Sequence, residues 1–475
     1  MNKIDVVNPR TGQVDYQADH YGADDVAAVA KRLRSAQTKW ESAGIEFRVH
    51  QIRKWAENIE ANIDTLWPAL TDDTGRKTFA RLEILVACAM LRNWADRAPG
   101  LLAEGGEKTS SFVPTVNFRH RLVPLPLVGV ISPWNVPMIL ALIDTIPALL
   151  AGCAVLLKPS EVTPRFAKPL AKSLEGLEGL QDVVGIITGG ADTGQALVDN
   201  VDAVCFTGSV ATGRKVGAHA AANFIPAFLE LGGKDPAIVL PSANIEAAVH
   251  GIVRSAIGLT GQACQSLERI YVHQDIYQPF LDEMVKQVSA VKFNWPNIDE
   301  GHIGPLIFGR QGETIQRHLD DAIAKGAKVL VGGKIEHHGG GTWCQPTVIV
   351  DVNHDMALMT EETFGPIVPV MPFATTEEAI ALANDSEFGL SAALFSADPT
   401  DIDTIAAKIN VGAVSINDAS LTALVYDAEK NSFCMSGLGG SRMGDSGITR
   451  FLRKRALLVQ TGNANPIDMM REGQF

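Results

Sequence analysis

Between residues 128 and 222 short apolar runs alternate with amphipathic ones, and no other feature restricts the fold of this chain so tightly. VGVIS (128–132), AVLLKP (154–159), VVGIITG (183–189) and AVCFTGS (203–209) have the length and β-branched content of buried strands. The stretches MILALIDTIPALLAG, PRFAKPLAKSLEGL, TGQALVDN and ATGRKVGAHAA read as the helices that connect and follow them. Such alternation predicts βαβ units in a parallel sheet, with ligands at the carboxyl ends of the strands. Candidate ligand residues stand at those ends: Trp134-Asn135, Lys158-Pro-Ser-Glu161 and Phe206-Thr-Gly-Ser209.

A second α/β region is expected from about Ala237 to Ser436, with strands at RIYVH, KVLVGG, TVIVDV, IVPVMPF, AALFS and AVSIND. Residues 23–98 show apolar spacings of three and four and read as helices. From about Glu104 to Arg121 the pattern becomes a strand or hairpin, and its Arg119-His120-Arg121 cluster reads as a surface edge strand. His337 to Gly341 reads as a flexible hairpin tip, and near the C-terminus a strand, ALLVQTG, is expected after a basic helix end.

The 475 residues, 46% hydrophobic and 20% charged, suffice for two or three domains with a large core. Forty-one basic against 54 acidic residues leave a net charge of −13, which argues against nucleic acid or an anionic membrane as partner and points to a small molecule. The six cysteines (Cys88, Cys153, Cys205, Cys264, Cys344, Cys434) lack CxxC spacing, which fits reduced thiols, a cytoplasmic setting and no metal site. The N-terminus has no secretory pattern. The one membrane-like stretch, Val136 to Leu157, contains Asp144, whose burial at a bilayer centre costs about 3 kcal/mol, so it reads as a buried helix entering a buried strand.

Residues 230–266 carry the most pointed chemistry. Glu230 opens a Gly-Gly turn, and 34 positions later Cys264 sits in a Gly-Gln-Ala-Cys loop, with a strand and an Asn244-capped helix between them that let the two meet. A thiolate is a nucleophile and a nearby carboxylate can take up its proton, although a lone cysteine is more often a small buried hydrophobe. Gly208 and Gly213 at a strand-to-helix junction suit a pyrophosphate, but without the third glycine of the common fingerprint a plain turn fits equally well.

ELGGK followed by GQAC resembles the active-site signature of the aldehyde dehydrogenase superfamily. Pro133-Trp-Asn-Val-Pro137, Lys158-Pro-Ser-Glu161, the Gly208–Gly213 turn, Glu361-Glu-Thr-Phe-Gly-Pro366 and Asn410-Val-Gly-Ala-Val-Ser-Ile-Asn417 resemble further family motifs, in the family's order. Leu438 to Gly447 departs from it, with Leu438 for phenylalanine and Arg442 for lysine, which puts the substrate rim in doubt. The resemblance implies Cys264 as nucleophile, Glu230 as general base and Asn135 as oxyanion donor. It implies NAD, with NADP disfavoured by Glu161, held by Ser132, Trp134, Lys158, Ser160, Glu161, Thr207, Gly208, Ser209, Gly213, Leu231, Glu362 and Phe364.

The implied fold is α/β: a Rossmann-like parallel-sheet NAD-binding domain (1–106 and 124–231), an α/β catalytic domain (232–437) and a small β oligomerisation flap with the C-terminal segment (107–123 and 438–475). Flap edges imply a homodimer or homotetramer. Val136, Leu140, Ile143 and Gln265 fall on the substrate tunnel and include no base, which implies an uncharged, apolar aldehyde, aromatic or aliphatic. The alternatives are a CoA-acylating relative, against which Glu230 counts, and a redox-silent structural or binding protein on the same scaffold.

Overall fold

The structure, a computed structural model, describes residues 2–473. Its first sheet has six strands in the order Gly437–Leu438, Ala227–Glu230, Ala203–Thr207, Leu127–Ile131, Ala154–Lys158 and Val184–Ile186. Their pairings are parallel except that of Gly437–Leu438, which runs antiparallel to Leu229–Glu230. Every residue of Ala154–Lys158 and Ala203–Thr207 is buried, as expected of strands covered on both faces.

The stretch read as buried helix and strand forms the helix Pro137–Ala151 and the strand Ala154–Lys158, turned by Gly152 in a left-handed conformation. Asp144 survives inside that helix because it is ion-paired at 2.5 Å with both Arg442 and Arg450. Leaving such a carboxylate without its partners would cost about 3–5 kcal/mol.

The second sheet has seven strands in the order Lys328–Val331, Thr347–Val350, Ile367–Phe373, Leu267–His273, Asp235–Val239, Ala392–Phe395 and Val414–Ile416. All its pairings are parallel except the first. The helix Ile245–Ile257 begins at Asn244, whose Oδ1 accepts the Ala247 N–H at 3.0 Å.

Arg119-His120-Arg121 is exposed and pairs on one side only, with Leu452–Gln460, because Lys108–Thr109 reaches no farther along Val116–Pro124 than Phe118. Two local expectations need correction. The basic run Arg453 to Arg455 lies within the strand Leu452–Gln460 rather than at a helix end. The hairpin joining Ile335–His338 to Gly341–Cys344 is packed rather than free: a β-carbon at Gly340 would lie 2.1 Å from the Thr11 carbonyl oxygen.

Candidate active site

The two sheets bring their ligand-bearing ends to a common cleft from opposite polarities. The first contributes carboxyl ends, where Ile131, Lys158, Thr207 and Glu230 close their strands. The second contributes amino ends, since Gly233 precedes Asp235–Val239, Cys264 precedes Leu267–His273 and Phe364 precedes Ile367–Phe373. Because Asp235–Val239 and Leu267–His273 are adjacent parallel strands, the turns that enter them touch. A β-carbon at Gly233 would stand 2.4 Å from the Cys264 carbonyl oxygen, so only glycine admits that approach.

The loop carrying Cys264 is held from several sides. Leu259 and Thr260 take left-handed φ values of 56° and 60°, unusual for such side chains. Arg76 secures them through Nη2 on the Leu259 carbonyl at 2.6 Å, and Thr260 Oγ1 donates to Gly304 O at 3.0 Å. Gln262 Oε1 accepts the Ile307 N–H at 2.9 Å. Gly261, at φ 66°, abuts Gly365: a β-carbon there would meet its carbonyl at 2.2 Å.

Asn135 is buried, and its Nδ2 donates to Gln262 O at 3.0 Å, which aims the amide at the Cys264 loop and commits one of its two protons. Arg76 Nη1 reaches the Asn135 carbonyl at 3.3 Å, so one guanidinium braces both sides of the cleft.

Around Cys264 the acids outnumber the bases. The thiol is only partly exposed, and burial foremost pushes it up to about 12; the nearby carboxyls of Glu362, Asp235 and Glu230 act in the same direction, while Lys430 opposes them. Burial, with Glu268 nearby, lifts Glu362 to about 8, and its Oε1 accepts the Gly233 N–H at 3.0 Å. Burial likewise raises Asp235 to about 7, although Ser391 donates to both of its oxygens. Glu230 Oε2 accepts from Ser432 Oγ at 2.7 Å and lies 3.6 Å from Lys430 Nζ.

The other sequence-predicted positions fall into two groups. Ser132, Lys158, Ser160 and Glu161 cluster at the strand ends. Ser132 N–H donates to Lys158 O at 3.1 Å, and Lys158 Nζ, its basicity lowered by burial, lies 3.4 Å from Glu161, whose side chain is 52% exposed. The Ser132 hydroxyl is buried with no partner among the described residues. Ser209 caps the helix Val210–Ala222 by accepting the Thr212 N–H at 3.3 Å, and Gly208 N–H donates to Glu230 O at 3.1 Å. Gly213 packs on Leu231, where a β-carbon would come within 2.5 Å of the leucine. Thr207 Oγ1 accepts from Arg442 at 2.6 Å. Trp134 meets Phe364 edge-on at 5.4 Å and Phe308 at 6.2 Å.

Val136, Leu140 and Ile143 share one face of the helix Pro137–Ala151 and its entry. Gln265 Oε1 accepts from Thr422 Oγ1, and Ser420 Oγ donates to Gln265 O at 3.1 Å, so the wall beside Cys264 is more polar than its apolar positions suggested. Sequence reasoning missed Arg76, Gln262, Thr422, Lys430 and Ser432. Apart from Gln262, two residues before Cys264, none lies near Cys264, Glu230 or Asn135 along the chain, and only the GQ dipeptide of the cysteine loop could have drawn attention to one of them.

The aldehyde dehydrogenase family pattern matches residues 1–457. The solved structure of PutA from Anabaena variabilis, provisionally named an aldehyde dehydrogenase, is 48% identical with a TM-score of 0.96, covering 98% of this chain and 99% of that one. Lactaldehyde dehydrogenase from Escherichia coli is 32% identical with a TM-score of 0.92, covering 97% and 96%. A Mycobacterium ulcerans protein provisionally named an NADP(+)-type succinate-semialdehyde dehydrogenase is 34% identical, over 92% of this chain and 84% of its own length. The chain belongs to the aldehyde dehydrogenase family, and is an oxidoreductase acting on aldehydes.

Proposed function

We propose that the protein oxidises an uncharged, largely apolar aldehyde to its carboxylic acid with NAD, using Cys264 as nucleophile, Asn135 as oxyanion donor and Glu230 as general base. The observation that carries this reading is the enforced contact between the Gly233 turn and the Cys264 carbonyl, which brings a carboxylate, a thiol and a side-chain amide around one cleft.

The residues at the ends of the first sheet fit a dinucleotide. Ser132 offers a buried hydroxyl without a partner among the described residues, and Lys158 with Glu161 offers a donor and an acceptor suited to ribose hydroxyls. The Ser209-capped helix start suits a phosphate. The unit built on residues 1–106 and 124–231 is accordingly assigned as the cofactor domain and 232–437 as the catalytic one, with 107–123 and 438–475 as the flap. Bound NAD supplies the hydride acceptor that the reaction requires.

In the protonated state that burial favours, Cys264 needs a base to become nucleophilic, and Glu230 is the carboxylate held at the cleft by Ser432 and Lys430. Attack on the carbonyl makes a hemithioacetal whose oxyanion lies by the uncommitted Asn135 N–H and the Cys264 backbone N–H. Loss of hydride leaves a thioester on Cys264. Glu230 then takes a proton from water, which hydrolyses the thioester to the acid and regenerates the thiol. No base stands among Val136, Leu140, Ile143 and Gln265, which supports an uncharged substrate, and the Gln265–Thr422 pair is the polar point of that wall.

The test is a panel of aromatic, aliphatic and ω-carboxylated aldehydes followed by reduced-cofactor absorbance, with NAD and NADP in parallel. Best turnover on a carboxylated aldehyde would overturn the substrate assignment, and thioester transfer to CoA in preference to water would overturn the hydrolytic one.

A further inference from the structure

Lys430 lies in a polar loop with no motif to recommend it, yet its side chain is 4% exposed and its ammonium is 3.6 Å from Glu230 Oε2. Ser432, two residues on, donates to that same oxygen at 2.7 Å, and Lys430 Nζ in turn reaches Ser432 Oγ at 3.4 Å. The segment is fastened beside the base: Gly437 pairs with Glu230, Leu231 N–H donates to Ser436 O at 2.8 Å, and Lys430 N–H donates to Ser441 Oγ at 3.4 Å. A buried ammonium is costly to leave unpaired, so this one must find its counter-charge among the acids of the cleft.

We infer that Lys430 is a positioning residue: with Ser432 it ties down one oxygen of Glu230, leaves the other without a side-chain hydrogen bond, and supplies the positive charge against which Cys264 forms its thiolate. The inference rests on the roles proposed above for Glu230 and Cys264. The charged groups that act on the thiol are the carboxyls of Glu230, Asp235 and Glu362 and the ammonium of Lys430, while Arg442, in the loop after Gly437–Leu438, acts on Glu230. Among them Lys430 is the one cation that favours the thiolate, and its field also reaches Asp235. Among the described residues Glu230 Oε1 makes no hydrogen bond to a side chain, which leaves it to receive a proton.

The experiment follows the pH dependence of Cys264 alkylation by iodoacetamide, without aldehyde or cofactor, by intact-protein mass measurement. Lys430→Met is expected to displace the rising limb of the rate profile by about one pH unit, slowing alkylation near neutrality about tenfold, with Lys430→Arg restoring most of the rate. Ser432→Ala should leave that limb in place but slow thioester hydrolysis, because it frees the carboxylate without removing the charge. An undisplaced limb in folded Lys430→Met overturns the inference. If that variant does not fold, an unshifted hydrolysis rate in Ser432→Ala, or a Lys430→Arg enzyme with normal folding but the slow alkylation expected of a neutral substitution, does the same. If Cys264→Ala retains turnover, it is the underlying role of Cys264 that fails instead.

Discussion

Lys234 and Glu268 form a buried ion pair at 2.6 Å, separated along the chain by the same 34 positions that separate Glu230 from Cys264. Lys234 immediately precedes Asp235–Val239 and Glu268 stands at the start of its parallel neighbour Leu267–His273, so the pair ties together the entrances of two adjacent strands. Lys234 Nζ also donates to Thr363 Oγ1 at 3.0 Å, and the Glu268 carboxylate accepts the N–H groups of Thr363 and Phe364 at 2.7 and 2.8 Å. The lysine of ELGGK therefore fastens the loop bearing Glu362 and Phe364 to the Cys264 side of the cleft, and Phe364 accepts a left-handed φ of 52° there.

Lys234→Met should accordingly cost about 3–5 kcal/mol, because it strands a buried carboxylate. Urea unfolding at fixed protein concentration measures it, and Lys234→Met combined with Glu268→Leu should recover part of the loss. A single variant within about 1 kcal/mol of the unmodified protein would show that the pair does not anchor the loop.

Glu362 makes a pH prediction with a definite sign. Its carboxyl rises from 4.5 to about 8 on folding, chiefly through burial, so the native state holds a proton that the unfolded state has released across that window. Its contribution to stability is complete below pH 4.5 and is lost as pH rises through about 8. The slope is about −1.4 kcal/mol per pH unit in between. Asp73, Glu83 and Asp235, also raised by burial, slope the same way, so the measurement is the difference between the unmodified protein and Glu362→Gln, whose stability should fall less steeply with pH.

Legibility in the sequence tracked the range of the physical cause. The βαβ alternation and the glycines of the two turns were readable because each reflects a local demand: a strand buried on both faces, or a backbone approach such as Gly261 against Gly365 that excludes a β-carbon. Asp144 could be read as too polar for a membrane, yet its partners Arg442 and Arg450 lie about three hundred residues away and only folding unites them. Arg76 and Lys430 were invisible for the same reason. The misplaced helix end at Arg453 to Arg455 arose because exposed strand residues lose the apolar alternation that marks a strand.

Cys264→Ala should abolish aldehyde oxidation while preserving the fold and NAD binding, which isothermal titration would check. Replacing Cys88, Cys153, Cys205 or Cys344, all buried, should cost up to about 3 kcal/mol in stability without loss of the chemical step, and exposed Cys434 should cost little. Substantial turnover in Cys264→Ala would remove it from the mechanism.

Glu161 should set cofactor preference. Its carboxylate, half exposed and 3.4 Å from Lys158, would face the doubly charged 2′-phosphate of NADP, and the repulsion in a partly solvated site is about 1–2 kcal/mol, or roughly tenfold in favour of NAD. Glu161→Gln should narrow that ratio of kcat/KM. Equal efficiency with both cofactors in the unmodified enzyme would place 2′-group selection elsewhere.

The half-reactions separate the roles of Glu230 and Asn135. If Glu230 mainly activates water against the thioester, Glu230→Gln should still allow Cys264 to be acylated and release up to one reduced cofactor per site before turnover stalls. Asn135→Ala should act earlier if the amide that Gln262 aims at the Cys264 loop serves the oxyanion of the first adduct. Its loss should slow reduced-cofactor formation about 10²- to 10³-fold with no accumulated acyl-enzyme. Rapid mixing combined with intact-protein mass measurement distinguishes the two. A Glu230→Gln enzyme with neither burst nor adduct would mean that Glu230 is required to deprotonate Cys264, the thiol that burial pushes up to about 12; undiminished steady turnover would mean that water is activated by another group.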